Sequence, residues 1–239
     1  MLELNDELAE IIGAILGDGY LYYARKKGSG LVIVGNFTED FHYITYLIKA
    51  FRKLGTNPTT YRSKDKNAIY LSIISKKFIE ELLLLGLKES PKVNLRIPKI
   101  IKNGSSNLKA AFIRGLSDTD FSISFHKGPS RKNYTYPKIT AAFSDIGFVK
   151  DVQSVIEEFG IKVNRYNIKT HLDGKVYQQY SLHIYGKKNL KLWLDNINFR
   201  NEKHLSKIRF WEIFGYCPPR TTVAYRSIML ESNVYKYGQ

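Results

Sequence analysis

Two aspartates, Asp18 and Asp120, each close a run of small and apolar residues and are the best candidates for chemistry in this sequence. The first run is Ile11-Ile12-Gly13-Ala14-Ile15-Leu16-Gly17-Asp18-Gly19, and the second is Ile113-Arg114-Gly115-Leu116-Ser117-Asp118-Thr119-Asp120-Phe121. With the aspartates aligned, Gly13 falls on Gly115 and Gly17 on Thr119. A spacing of about one helical turn puts these small side chains on one face, where two helices can approach closely. Helices packed this way bring both carboxylates together at their C-terminal ends, beside backbone carbonyls that have no intrahelical partner. Carboxylates and carbonyls are ligands for a hard divalent cation, and a pair of Mg²⁺ ions so held suits in-line hydrolysis of a phosphodiester. Asp118, two residues from Asp120, points to another helical face and is not expected to join them.

The charge balance says what such a site would act on. Lys+Arg number 37 against 22 Asp+Glu, a net charge of +15 that is spread along the chain. A folded protein this basic is expected to meet a polyanion, with nucleic acid the first candidate. A membrane surface is the weaker one, because no apolar run is long enough to span a bilayer. No signal peptide is read ahead of Leu4–Leu16, so a cytoplasmic or nucleoid location is expected, or an organellar one for an organelle-encoded chain. The single Cys217 excludes an intrachain disulfide and a cysteine-rich zinc site. The 5 histidines (His42, His126, His171, His183 and His204) show no metal spacing, so surface or satisfied core positions are expected for them. Gly17-Asp18-Gly19 lacks the spacing of a phosphate loop.

The elements that must position the aspartates repeat. Periodicity predicts a helix over 5–17, strands over 20–25 and 31–37, and a helix over 40–54 stopped by Gly55. Strands over 59–63 and 68–74 and a helix over 76–85 complete this half. The second half predicts a helix over 106–117, strands over 122–126 and 137–143, and a helix over 146–159 stopped by Gly160. Strands over 162–170 and 175–185 pair around Asp173-Gly174, a helix over 189–196 closes the half, and another spans 201–214. The expected organisation is an α+β fold of two pseudo-symmetric units, 1–86 and 105–215, joined by a linker over 87–104. Residues 216–239 form an ordered appendage.

Two helices ending G-x-x-x-(G/T)-D, each opening an αββαββ unit, make the chain resemble the LAGLIDADG homing endonucleases in their single-chain, two-motif form. The resemblance implies a saddle of two four-stranded antiparallel sheets in the major groove of DNA, with the motif helices at the central interface. It implies a monomer that cuts both strands of a long duplex site with Mg²⁺ or Mn²⁺. The absence of self-splicing blocks points to a free-standing, intron-encoded enzyme. By the same resemblance Asp18 and Asp120 are catalytic metal ligands, the carbonyls of Gly17 and Thr119 complete the metal shell, and Lys92 and Lys203 occupy the lysine position after each closing helix. Such a lysine stabilises charge on the scissile phosphate. Glu39 and Ser144 align with a polar position at the end of the second strand that is often glutamine in the family; they are placed among the DNA-contact residues, with their exact role open.

The cations Arg25, Lys26, Lys27, Arg62, Lys64, Lys66, Arg131, Lys132, Lys138, Lys162, Arg165 and Lys169 cluster on the predicted hairpins and are read as a DNA-binding set. Tyr20, Tyr22, Tyr61, Tyr166 and Tyr177 interleave with them. The main departure from the family pattern is Phe121, where glycine is usual. It is expected to tilt Asp120 or crowd its site and to make the two strands cut unevenly. The competing reading is a cleavage-deficient relative acting as an RNA-splicing maturase on intron RNA or as a DNA-binding regulator. A basic structural nucleoid protein would not need the paired acids.

The charge and the duplication give the first prediction. One chain binds one duplex site, and affinity falls by about 10³-fold or more between 50 and 200 mM salt through counterion release. Binding isotherms at several salt concentrations check it, and a flat response or two chains per site would contradict it.

Overall fold

The computed structural model describes residues 2–24, 28–127, 133–172 and 175–237. Arg25, Lys26, Lys27, Arg131 and Lys132, together with the Asp173-Gly174 turn, lie outside the described residues. The first half of the chain runs α1 (Asp6–Asp18), β1 (Gly19–Ala24), β2 (Gly28–Asn36), α2 (Phe41–Lys53), β3 (Thr59–Arg62), β4 (Ala68–Ile74) and α3 (Lys76–Leu84). A one-turn helix in the connection, α4 (Lys99–Lys102), was not anticipated from periodicity. The second half repeats the order as α5 (Ser106–Asp120), β5 (Ser122–Lys127), β6 (Tyr134–Phe143), α6 (Ile146–Glu157), β7 (Asn164–Leu172), β8 (Lys175–Tyr185) and α7 (Gly186–Asn196). Two further helices follow, α8 (Glu202–Phe214) and α9 (Val223–Tyr237), the latter forming most of the appendage.

The strands make two antiparallel four-stranded sheets, ordered β1-β2-β4-β3 and β5-β6-β8-β7. Each sheet buries alternate residues under its own helices, as period-two alternation requires. In the first, Leu21, Leu31, Ile33, Leu71 and Ile73 join the core with Ile44, Leu47 and Phe51 of α2 and Phe78 and Leu82 of α3. In the second, Ile123, Phe125, Ile139, Leu182 and Ile184 join it with Phe148, Val152 and Val155 of α6 and Trp193 of α7. Gly55 and Gly160 end α2 and α6 with φ of +76° and +73°, the left-handed geometry that lets a helix stop. No helix among the described residues is long and apolar enough to cross a membrane.

The two halves meet through α1 and α5. Asn5 caps α1 by accepting from the Leu8 amide at 2.9 Å, and Ser105 caps α5 by accepting from the Leu108 amide at 3.3 Å. Between the helices the contact is backbone to backbone. A Cβ on Gly115 would overlap the Glu10 carbonyl oxygen, and one on Gly13 would overlap the Phe112 carbonyl oxygen and lie 2.7 Å from the Leu116 nitrogen.

Around this contact lies a buried charge network. Glu10 of α1 accepts from Arg114 Nε of α5 at 2.9 Å and from Arg200 Nε and Nη2 at 2.6 and 3.0 Å. Arg114 Nη1 also donates to the Ile197 carbonyl at 3.1 Å, and Arg200 stacks over the Tyr46 ring at 4.2 Å. The connection between the halves is clamped too. Asp151 of α6 accepts from Arg96 at 2.6 and 2.8 Å and pairs with Lys102 at 2.5 Å. These cations hold its carboxyl down at about 2, against the upward pull of burial.

The helix contact gives the second prediction. Gly13→Ala and Gly115→Ala each force the helices apart and cost about 1–3 kcal/mol or more of folding stability. Denaturant unfolding measures this, and a loss below about 0.5 kcal/mol at either position would contradict a backbone-to-backbone contact.

Candidate active site

Because α1 and α5 pack so closely, their last residues, Asp18 and Asp120, converge. Gly17 is the third residue that the contact requires to be small. A Cβ there would overlap Thr119 Oγ1 of α5 and lie 2.5 Å from Asp120 Oδ2, so the Asp120 carboxylate rests against the end of α1. Thr119 spends its hydroxyl on the Leu116 carbonyl at 2.9 Å, which fixes its side chain toward Gly17. The electrostatics match this geometry. Burial and the neighbouring Asp18 raise the Asp120 carboxyl to about 7, with Lys92 and Lys203 pulling it down. The protein packed around Asp18 raises that carboxyl as well, with Lys203 and Lys92 opposing and Asp40 adding to the shift.

Lys92 sits at the end of α1. No basic residue lies in the last turn of that helix, and Lys92 supplies the missing charge by donating from Nζ to the carbonyls of Ile15, Leu16 and Gly17 at 2.8, 2.8 and 2.6 Å. Burial lowers its ammonium to about 8, with Asp120 and then Asp18 holding it up. The Gly17 carbonyl, expected as a metal ligand, is therefore held by Lys92 here. Lys203, at the start of α8, makes a different contact, an ion pair with Asp40 at 3.1 Å. The lysines cross over: Lys203, from the second half, pairs with Asp40 of the first and pulls down the Asp18 carboxyl, and Lys92, which follows the first half, lines the same cleft as Asp120.

The residues that place these lysines were not all visible in the sequence. Asp118 points away from the carboxylate pair, as its spacing predicted. It is fully buried and accepts from the backbone amides of Arg200 at 2.9 Å and Asn201 at 3.0 Å, while burial lifts its carboxyl to about 7. Asn201 donates from Nδ2 to Asp40 at 2.7 Å and to the Asp118 carbonyl at 3.1 Å, which fastens the turn before Lys203 to both halves. Asp145, the helix-capping counterpart of Asp40, accepts from the Leu95 amide at 2.7 Å and so fixes the segment that carries Lys92. A lone Glu10 inside an apolar helix was the one sequence signal of this network.

Glu39 and Ser144 separate in role. Ser144 opens on a cleft of about 290 Å³ lined also by Gly17, Lys92, Asp120 and Gln179, the last an unforeseen member on β8. Glu39 instead accepts from the Val223 amide at 3.1 Å and pairs with Arg226 at 3.7 Å, anchoring the start of α9. Arg226 is fully buried and donates to Ser206 Oγ at 2.9 Å and to the carbonyls of Thr221 and Lys203. Glu39 thus holds a helix, which corrects its reading as a DNA-contact residue.

Phe121 is also corrected. Its backbone is extended, with φ of −92° and ψ of 159°, close to the −79° and 138° of Gly19, so neither position needs the freedom of glycine. A Cβ on Gly19 would lie 2.5 Å from the Ile15 carbonyl oxygen, a local steric reason for glycine in the first copy. The Phe121 ring is buried against Trp193 at 5.6 Å and Phe143 at 6.2 Å, inside the core of the second half. It does not crowd Asp120.

The cations divide by face. Lys138 lies on the open face of the second sheet, and its ammonium sits over the Tyr185 ring at 5.4 Å. Lys64, Lys66, Lys162 and Lys169 are exposed. Two others turn away from the open faces. Arg62 pairs with buried Ile69 and stacks on Phe37 at 4.0 Å, and Arg165 pairs with buried Leu182 and donates to Gln153 of α6 at 3.0 Å. His204 is buried against Phe199 at 4.6 Å, with the Ser117 backbone as a polar neighbour, and burial holds its imidazole well below the usual histidine range. Among the described residues no cluster of three or more His, Cys, Asp or Glu forms a ready-made metal cage.

Comparison with known proteins agrees with this architecture. Residues 107–198 match the family model described as a LAGLIDADG-like domain. The chain is similar to the replication factor C small subunit of Methanocaldococcus jannaschii, 28% identical over 214 residues that cover 86% of this chain and 10% of that protein. It is also similar to the tRNA-splicing ligase RtcB of Pyrococcus abyssi, 28% identical over 208 residues that cover 80% of this chain and 22% of that one. The chain thus spans only a tenth to about a fifth of the length of these curated relatives, where the matching stretch belongs to a far longer protein. Those relatives lend no support to a free-standing enzyme. Among solved structures, a variant of the homing endonuclease I-DmoI superposes with a TM-score of 0.54 at 16% identity, covering 81% of this chain and 95% of that one. I-DmoI in complex with DNA and Mn gives 0.51 at 16%, covering 81% and 96%, and I-WcaI bound to its DNA recognition sequence gives 0.51 at 17%, covering 83% of each. With two helix-linked, four-stranded units and a paired acidic motif, the chain has the fold of these homing endonucleases, and its second half matches the LAGLIDADG-like domain.

Proposed function

We propose that this chain is a site-specific double-strand DNA endonuclease whose cutting centre is built from two cross-fed halves, Asp18 with Lys203 and Asp120 with Lys92. The observation that carries the reading is the convergence of two carboxylates and two lysines at the ends of helices held in backbone contact. A buried carboxylate raised by a neighbouring carboxylate, as Asp120 is by Asp18, is poorly matched to that neighbour and well matched to a cation. The donor set is all oxygen, which fits Mg²⁺ or Mn²⁺. Asp18 and Asp120 would hold the metal together with helix-end carbonyls, of which Thr119 offers one and Gly17 another if Lys92 swings toward phosphate. A divalent cation bound there supplies neutralisation of the leaving oxygen and a more acidic water.

The protein's own part is positioning and charge. Asp18, Asp120 and the helix-end carbonyls would leave the rest of a metal's shell to water and to phosphate oxygens of bound DNA. Lys92 and Lys203 place ammonium groups where charge builds on a scissile phosphate. Ser144 and Gln179, on the rim of the Asp120 cleft, offer hydrogen bonds to a nucleotide or an ordered water. The reading is supported by the DNA-bound state of I-DmoI and I-WcaI, which share the fold. Burial of Phe121 in the core removes the sequence feature that favoured a maturase or a non-cutting regulator.

The direct test is substitution of each carboxylate. Asp18→Asn and Asp120→Asn should each abolish double-strand cleavage while specific duplex binding stays within about threefold, since groove contacts remain. Full cutting by either variant would overturn the assignment.

A second test follows from the raised carboxyl of Asp120. A group at about 7 in the folded state and near 3.8 when unfolded binds more protons folded than unfolded between those values, so its contribution to stability falls as pH rises from about 4 to about 7. In chelator, Asp120→Asn should therefore gain on the wild type across that window and hold its advantage above it. Thermal unfolding of both proteins at stepped pH checks this, and a stability difference independent of pH would contradict the raised carboxyl.

A further inference from the structure

The two sheets turn very different faces away from the helices. In the first, the register puts Tyr20, Val32, Ser72 and Thr59 in one row across the sheet, and Val34, Tyr70 and Tyr61 in another. Tyr20 and Tyr61 are 55% and 56% exposed, so this face is open. Tyr61 and Tyr70 stack face to face with centroids 4.6 Å apart and planes 3° from parallel, and the end of the Tyr22 ring takes the space a side chain on Gly30 would fill. Among the described residues no lysine, arginine, histidine, glutamine or acidic side chain projects from this face, although the chain carries +15. Lys64 and Lys66 are exposed in the turn between β3 and β4, at one end of this sheet. The second sheet presents Ser124, His126, Lys138, Gln179, Ser181 and His183 instead. There, His183 is bonded to Ser181 at 2.6 Å and to Tyr185 at 2.7 Å, and His126 to Ser124 at 3.1 Å.

In the major groove, guanine is read chiefly by arginine or lysine and adenine by asparagine or glutamine, whereas thymine offers a methyl group to apolar side chains. A face of valines and tyrosines has little with which to read guanine and much with which to meet methyls. We infer that the first sheet reads its half of the target through thymine C5-methyl groups, packed on Val32, Val34, Tyr20 and Tyr61, so that this half-site is A·T-rich while the half under the second sheet is read by hydrogen bonds. The inference rests on the DNA-binding reading above. Cations at the end of an uncharged face suit a duplex, whose phosphates flank the base edges, better than a protein partner.

The test selects bound duplexes from a randomised library with the full chain, then replaces thymine by uracil, which lacks only the methyl, in one half-site at a time. Val34→Asn marks the half that lies under the first sheet, because asparagine favours adenine at the base pair it meets. The expected result is an A·T-enriched first half in which each contacted methyl, once removed, weakens binding about fourfold, the equivalent of about 0.8 kcal/mol per buried carbon. Uracil in the other half should change affinity less than twofold. A selected first half that is G-rich or indifferent to uracil would overturn this inference and leave the endonuclease reading standing. Failure to select any sequence would overturn both. If Val34→Arg instead converted a dimer to a monomer in light scattering with DNA affinity unchanged, the face would be a protein interface and the inference would fall.

Discussion

Everything at the centre of this molecule depends on how closely two helix backbones approach. Gly13 and Gly115 remove the side chains that would otherwise sit between α1 and α5, and Gly17 leaves room for Thr119 and Asp120. That approach has a cost, since glycine inside a helix is unfavourable by roughly 0.5–1 kcal/mol relative to alanine. The burial of Leu8, Ile11, Ile12, Ile15, Phe112, Ile113 and Leu116, each worth about 1.5–3 kcal/mol, outweighs it. Close approach also buries charge, and the network around Glu10, Arg114 and Arg200 resolves this by pairing every partner across the junction. Breaking such a pair costs about 3–5 kcal/mol, so the junction tolerates little change.

The same pairing positions the chemistry. Asp118 holds the backbone at Arg200 and Asn201, Asn201 ties that turn to Asp40, and Asp40 meets Lys203. Asp145 and Asp151 fix the connection that delivers Lys92 to the end of α1. Each lysine therefore reaches the centre through contacts with both halves. Duplication has not made the two sides equal. Beside Asp120 the cleft keeps Ser144 and Gln179 on its rim, whereas on the other side Glu39 is engaged by Val223 and Arg226 of α9.

Much of this was legible in the sequence, for physical reasons that differ by element. The helix and strand order followed from hydrophobic period and from Gly55 and Gly160, whose φ values are positive as helix-ending glycines require. The acidic pair followed from the spacing of small residues, and the exclusion of Asp118 from helical geometry. What could not be read were contacts between residues far apart in the chain, such as Lys92 on the α1 carbonyls, Lys203 on Asp40 and Arg226 under α9. The motif pattern suggested that Phe121 was an intruder at the site, but residue type alone does not say which way a side chain turns, and here it turns into the core. Arg62 and Arg165 were misplaced for a similar reason: on hairpin strands, parity decides the face, and both stand on the helix side.

In the proposed centre the two halves are built across the junction, each carboxylate working with the lysine that the other half, or its connection, supplies. Strand-resolved cleavage tests it most directly. Duplexes labelled separately on each strand are cut with Asp18→Asn, Lys203→Met, Asp120→Asn and Lys92→Met, at matched folded fraction. Asp18→Asn and Lys203→Met are expected to slow the same strand most, and Asp120→Asn and Lys92→Met the other. Pairing of Asp18 with Lys92 instead, or equal loss on both strands from every variant, would contradict it.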